Sequence, residues 1–326
     1  MPRLTSTIGK DNPICPACEF RPHTERSIYC EDCGSLLLHK PEQSARVVSM
    51  VNARLPLGEY KCYYTGLKMN LKDPTDPMYA HFDHRTPGRK GDLVMCCAWV
   101  NQVKGRLDED EFWAVILAYV DHLNGKPFPP EVARFKYWKS TAEGPVLTLA
   151  MIPMPLTTNA EFCEICGEKP LPRAKYCKQC SWIVYHAGEN LARVAGLKRA
   201  RNKKLKVFIC RYTGLVLELG DIGSPLYINF DHVRPGVKGR LEAVCAFINR
   251  MKTAMTKREF DRVMRELARF KREGGKFDEK VVKFRYWRKA MKAISKKMTG
   301  QGSDAWFDAV IKKLAEEDRD ILIGLS

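Results

Sequence analysis

A chain of 326 residues with a net charge of +17 has room for about two domains, and its charge points toward polyanions, most simply nucleic acid. No apolar run approaches the roughly 20 residues that a membrane span needs, and no signal peptide is visible, so a soluble, cytoplasmic protein is the expectation. Thirteen cysteines in such a chain are more natural as metal ligands than as disulfides.

In chain order, a cysteine-rich stretch from Cys15 to Cys33 leads into a helix-like segment, roughly Pro41 to Leu55. Two β-like runs follow, Tyr60–Leu71 and Met78–His84, then a turn at Pro87-Gly88 and a helix over about Asp92 to Lys104. Asp108 and Glu111 have capping-box spacing and predict a further helix over Glu109–Leu123, before the aromatic element Phe135-Lys136-Tyr137-Trp138. A proline-bearing linker with no helical period occupies 142–160.

The same order then returns. Phe82-Asp83-His84 recurs as Phe230-Asp231-His232, 148 positions later, and Cys62 to Gly66 recurs as Cys210 to Gly214. Thr256 and Glu259 repeat the capping box, and Phe284-Arg285-Tyr286-Trp287 repeats the aromatic element. A repeat this long is two copies of one domain. The division expected is 1–141, a linker over 142–160, 161–295, and a tail over 296–326 in which Asp304–Leu314 has helical spacing. The fold class expected is α+β, with a four-cysteine finger opening each unit.

Cys15, Cys18, Cys30 and Cys33 form two CxxC pairs, as do Cys163, Cys166, Cys177 and Cys180. Four thiolates at this spacing suit one tetrahedral Zn²⁺, and a closed ligand set marks two structural zinc ions. Such sites typically contribute about 10–16 kcal/mol of apparent binding energy.

Chemistry is most concentrated in the pattern strand, Asp-His, Pro-Gly loop, helix with Asn-x-x-Lys. Histidine suits water activation near neutral pH, and Asp and Asn oxygens suit a hard divalent cation, Mg²⁺ or Mn²⁺. Asn101 follows His84 by 17 residues, as Asn249 follows His232, so aspartate, histidine and asparagine are expected to converge on one ion and one water. Against this stands the plain alternative that Asp-His caps a turn and Asn101 is a surface residue. Retention in both copies, while Arg85/Val233 and Thr86/Arg234 diverge, favours the functional reading.

The run Asp83-His84-Arg85-Thr86-Pro87-Gly88-Arg89-Lys90-Gly91-Asp92-Leu93, with Cys97-Ala98-Trp99-Val100-Asn101 and Lys104-Gly105, resembles the HNH, or ββα-metal, nucleases, most closely the phage recombination endonuclease VII group. Copy 2 offers Asp231-His232, Pro235-Gly236, Lys238-Gly239 and Cys245 to Lys252. The resemblance covers about 45 residues per copy. It implies His84 and His232 as general bases and Asp83, Asn101, Asp231 and Asn249 as metal ligands. That family's own zinc, held by two CxxC pairs within the fold, cannot form here. Thr65, Val100, Thr213 and Ile248 stand where the second cysteines would be, so Cys62, Cys97, Cys210 and Cys245 read as small buried hydrophobes.

Charge separates the copies. Residues 149–326 hold 36 of the 55 basic and 20 of the 38 acidic residues, and so carry +16 of the +17. Arg258, Arg262, Arg265, Arg269 and Arg272 recur at helical spacing on one stripe, opposite Phe260, Val263, Met264, Leu267 and Phe270. A second basic element comprises Lys198, Arg199, Arg201, Lys203 and Lys204. Both are expected to meet phosphates. The reading is a metal-dependent DNA endonuclease, with RNA open as a substrate, in which one chain supplies both halves of a pseudo-dimer and acts as a monomer. The resemblance lends it a phage or mobile-element flavour. The alternative is a nucleic-acid-binding or structural protein that kept the fold and lost turnover.

Overall fold

The computed structural model describes residues 13–23, 27–38, 40–138, 160–185, 188–235 and 237–297. The expected linker helix-breaker region up to 159, Gly236, and the helix expected at Asp304–Leu314 lie outside them.

The first unit opens with α1 (Glu31–Leu37) and α2 (Gln43–Ala53), followed by a minimal hairpin, β1 (Arg54–Leu55) and β2 (Glu59–Tyr60). Its centre is the antiparallel pair β3 (Ala80–His84) and β4 (Leu93–Cys97), registered Ala80 to Cys97 and His84 to Leu93, running directly into α3 (Ala98–Lys104). Residues 93–97, expected within the start of a helix, are therefore strand. The segment Leu93 to Val100 is continuously apolar, and such a run satisfies either geometry until a partner strand is present. The β-like run expected over Tyr60–Leu71 is mostly irregular beyond β2, tied by isolated bridges from Lys61 to Lys68 and Asn70 to Tyr79.

Helix α4 (Glu109–Leu123) begins where the capping box places it. The Asp108 side chain accepts from Glu111 N–H, and the Glu111 carboxylate accepts from Asp108 N–H. The second unit repeats the plan with α5 (Lys178–Tyr185), α6 (Asn190–Ala200), β5 (Arg201–Asn202), β6 (Val207–Phe208), β7 (Ile228–His232), β8 (Leu241–Cys245), α7 (Ala246–Lys252) and α8 (Lys257–Glu273). Thr256 and Glu259 form the second capping box, and α9 (Trp287–Lys297) follows. Mixed helices and small antiparallel sheets make the class α+β. No described helix is long and apolar enough to cross a membrane.

The two units do not close separate cores. Trp99 on α3 is fully buried and meets Phe277 and Phe284 of the second unit at ring-centroid distances of 6.1 and 6.0 Å. Reciprocally, Phe247 on α7 meets Phe128 and Phe135 of the first unit at 6.1 and 5.3 Å. Each aromatic element thus packs on the other unit's helix, while α4 lies along α8, where Tyr119 stacks on Phe260 at 5.2 Å and donates to Asp261 at 2.7 Å. Losing a buried aromatic of this kind costs about 3–5 kcal/mol. Because the core is shared, Trp99→Ala is expected to lower the stability of both units together, as one denaturant transition followed by tryptophan fluorescence and far-ultraviolet circular dichroism. Two transitions, one of them unshifted, would show independent units.

Candidate functional site

Both cysteine quartets assemble. Cys15, Cys18, Cys30 and Cys33, and likewise Cys163, Cys166, Cys177 and Cys180, are buried with all sulfurs of each set within 4.8 Å of one another. Tight turns present the first pair of each set: Cys15 N–H donates to Arg21 O at 2.9 Å and Cys163 N–H to Glu168 O at 2.8 Å. The second pair opens a helix, with Gly34 N–H donating to Cys30 O and Ser181 N–H to Cys177 O. Tetrahedral thiolates about 2.3 Å from a zinc ion sit roughly 3.8 Å apart. The Cys18–Cys30 and Cys166–Cys177 sulfurs are 3.8 and 3.5 Å apart, so the quartets fit a soft divalent ion. Burial pushes the Cys33 thiol up, and hydrogen bonds to Cys163 and Cys177 push Cys180 up. A bound cation relieves that penalty by pairing with four thiolates at once. Among the described residues, these are the clusters of three or more His, Cys, Asp or Glu with such geometry.

His84 and His232, the last residues of β3 and β7, have the same setting. His84 Nε2 lies 3.0 Å from Glu42 Oε1, and His232 Nε2 lies 2.9 Å from Glu189 Oε1. The second carboxylate oxygen of each glutamate accepts a backbone N–H from the loop between the paired strands, Gly91 at 2.7 Å and Gly239 at 2.8 Å. Those hydrogen bonds, the backbone one first, hold both carboxyls below the usual range. Each glutamate sits at the N-cap of α2 or α6 in the left-handed region, at φ 56° and 49°, yet makes no side-chain cap. That conformation costs a residue with a Cβ on the order of 1–2 kcal/mol. The imidazoles are about one-third exposed, 33% and 37%, and no partner for Nδ1 is present among the described residues.

Successive strand residues face opposite ways, so Asp83 turns from His84 into the interior. Lys104 Nζ, on α3, lies 3.2 and 3.0 Å from the two Asp83 oxygens, and Tyr64 donates to Oδ2 at 2.6 Å. Asp231 repeats this with Lys252 at 2.8 Å and with the Tyr212 hydroxyl. Burial pushes both aspartate carboxyls up, opposed by the lysine ammonium and the tyrosine hydroxyl. Lys104 also donates to His84 O at 2.9 Å, tying the strand end to α3. Asn101 is buried on α3 and Asn249 half-buried on α7. Asp83 is thus paired with Lys104 and Tyr64, and His84, the next residue, with Glu42.

The basic residues divide into engaged and free groups. Arg265 donates to Asn124 and Arg272 to Asp121, both across the α4–α8 contact at 2.9 Å, and Arg269 is forked onto Glu266. Arg258 and Arg262 are exposed, Arg262 donating to Val281 O at 3.3 Å; with Arg265 and Arg269 they line an open groove of about 580 Å³ that Asp261 and Glu266 share. Arg199 holds Leu241 O and the buried Glu242, Arg201 holds Cys166 O at 2.7 Å, and Lys198 pairs with Glu164 at 3.7 Å. Most of the stripe and part of the run thus have protein partners. Lys203 and Lys204 remain exposed at the β5–β6 turn beside Lys206, which has the same character.

Sequence reasoning passed over Glu42 and Glu189, although both open the pattern Glu-x-x-Ala-Arg-Val, at 42–47 and 189–194. It also read Cys62, Cys97, Cys210 and Cys245 singly, whereas each pair lies sulfur to sulfur at 3.5 Å. No family model, curated protein or solved structure matches this chain.

Metal analysis of the purified chain is expected to return two zinc ions, falling to one in Cys15→Ser or Cys163→Ser. Cys96→Ser, whose counterpart is Val244, leaves the count unchanged. Fewer than one zinc per wild-type chain would refute the assignment.

Proposed function

We propose that the chain is a DNA endonuclease with two equivalent hydrolytic sites, one per unit, of the HNH or ββα-metal type. The observation that carries the reading is the repeated histidine, held through Nε2 by a glutamate at a strand end and about one-third exposed. Nδ1 accepts the proton of a water as its oxygen forms the new bond to phosphorus; the phosphorus–oxygen bond to the leaving sugar breaks, that oxygen takes up a proton from a second water, and the imidazolium returns its proton to the hydroxide so formed. Asp83, Asn101, Asp231 and Asn249 carry hard oxygens of the kind Mg²⁺ or Mn²⁺ takes, and an ion held there would have to displace Lys104 and Tyr64 from Asp83, or Lys252 and Tyr212 from Asp231. A divalent ion there supplies stabilisation of the charge that builds on the phosphate. The two glutamate-held histidines, related by the duplication, give one chain the means to nick two strands.

The second reading is a nucleic-acid-binding or structural protein without turnover. It is favoured by the buried lysines, which already neutralise Asp83 and Asp231.

Plasmid and branched DNA incubated with Mg²⁺ or Mn²⁺ separate the two. His84→Ala and His232→Ala are each expected to slow a different nick by about 10²–10⁴-fold, and the double variant to bind without cutting. Wild-type cutting in the double variant, or none in the wild type, refutes the two-site nuclease. Binding is expected to depend on the free lysines. Replacing Lys203, Lys204 and Lys206 by alanine reduces the salt slope of log K by about 2.7, at roughly 0.9 per phosphate contact, whereas Arg265→Ala and Arg272→Ala leave the slope and lower stability. An unchanged slope in the lysine variant would place DNA elsewhere.

A further inference from the structure

A helix and a strand meet here by matching their periods. Residues four apart on α2 share a face, as do residues two apart on β3. Glu42 holds His84, while Arg46, four residues on, lies over the Phe82 ring at 4.6 Å, two residues before the histidine. In the second unit Glu189 holds His232, and Arg193 lies over the Phe230 ring, again at 4.6 Å. Arg46 and Arg193 fix each helix end against its strand, and the glutamate then has one direction to point.

Glutamate is a poor choice for capping a helix at those positions. Asparagine would accept the left-handed backbone more readily and could cap the helix, which neither glutamate does. Both units nevertheless keep glutamate, with one oxygen on the imidazole and the other on a glycine N–H of the loop. A carboxylate only accepts, so the Nε2 it faces must carry hydrogen. Nδ1 is thereby left unprotonated in the neutral ring and turned away from the glutamate.

We propose that Glu42 and Glu189 are positioning residues that lock His84 and His232 in the Nε2–H tautomer, leaving Nδ1 as the proton-accepting atom, and that they couple each ring to the loop carrying Gly91 or Gly239. This rests on the nuclease reading for its role in cleavage, but not for the tautomer itself.

The test uses the full zinc-loaded chain, with Glu42→Asn and Glu42→Gln, and three readouts: ¹⁵N shifts of the His84 ring, thermal midpoint, and the rate of the nick assigned to the first unit. In the wild type the ring is expected as the Nε2–H tautomer. Glu42→Asn should mix the tautomers, hold or raise the midpoint, and slow its nick about 10–100-fold, the usual loss when a carboxylate orienting a histidine is removed. Glu42→Gln, which keeps an acceptor oxygen, should restore part of the rate and the tautomer. The nick of the second unit stays unchanged. If Glu42→Asn cuts at the wild-type rate with an unaltered ring, the assignment fails while the nuclease reading stands. If stability falls in step with activity, glutamate is a structural tie and the assignment also fails. If the wild type cuts nothing, the nuclease reading fails, and a wild-type ring protonated at Nδ1 would remove the tautomer claim as well.

Discussion

The exchange of aromatic elements between the units is the constraint on which the rest depends. Trp99 is covered by Phe277 and Phe284, and Phe247 by Phe128 and Phe135, so neither unit can bury its own central helix. Those helices, α3 and α7, carry Lys104 and Lys252, which hold Asp83 and Asp231 and so the strand ends with the histidines. A site in one unit is therefore rigid only when the other unit is folded against it. The cysteine quartets, by contrast, are each gathered within one unit, and their ties run to that unit's own hairpin, from Cys33 to Tyr60 and from Cys166 O to Arg201.

Duplicated halves could pair with the wrong partner, a half of another chain. The α4–α8 contact discourages this by charge. Asp121 on α4 and Asn124 at its C-terminal cap meet Arg272 and Arg265 on α8, and an α8–α8 contact would set arginine against arginine. Two arginines of the second unit's positive stripe thus meet the first unit. The lysines of the β5–β6 turn face solvent instead, and the corresponding turn in the first unit is Pro56-Leu57-Gly58. Divergence between the copies has left the histidine settings alike and made the surfaces different.

Much of this was legible in the residues. The capping boxes placed the starts of α4 and α8, and CxxC spacing placed the quartets, because both signals are local. The strand β4 was hidden because Leu93 to Val100 is uniformly apolar, and only pairing with β3 decides its state. Helical phase placed the five arginines on one stripe, but phase is silent about Asp121 and Asn124, 151 and 141 residues from their partners. Glu42 was missed because a single acidic residue beside a helix is commonplace. Its signal was the recurrence of Glu-x-x-Ala-Arg-Val at an offset one residue short of the main repeat, since the second finger is one residue shorter.

The nuclease proposal requires each unit to take up one divalent cation close enough to its clamped histidine for the ring to sense it. Titrating the zinc-loaded chain with Mn²⁺ while observing the histidine ring resonances by NMR tests it without any substrate. The account predicts paramagnetic broadening of His84 and His232 together, before the other described histidines, and reversal by excess Mg²⁺. Sharp His84 and His232 signals at saturating Mn²⁺ would mean that Lys104 and Lys252 keep the carboxylates, and that the duplicated sites do not use a metal ion.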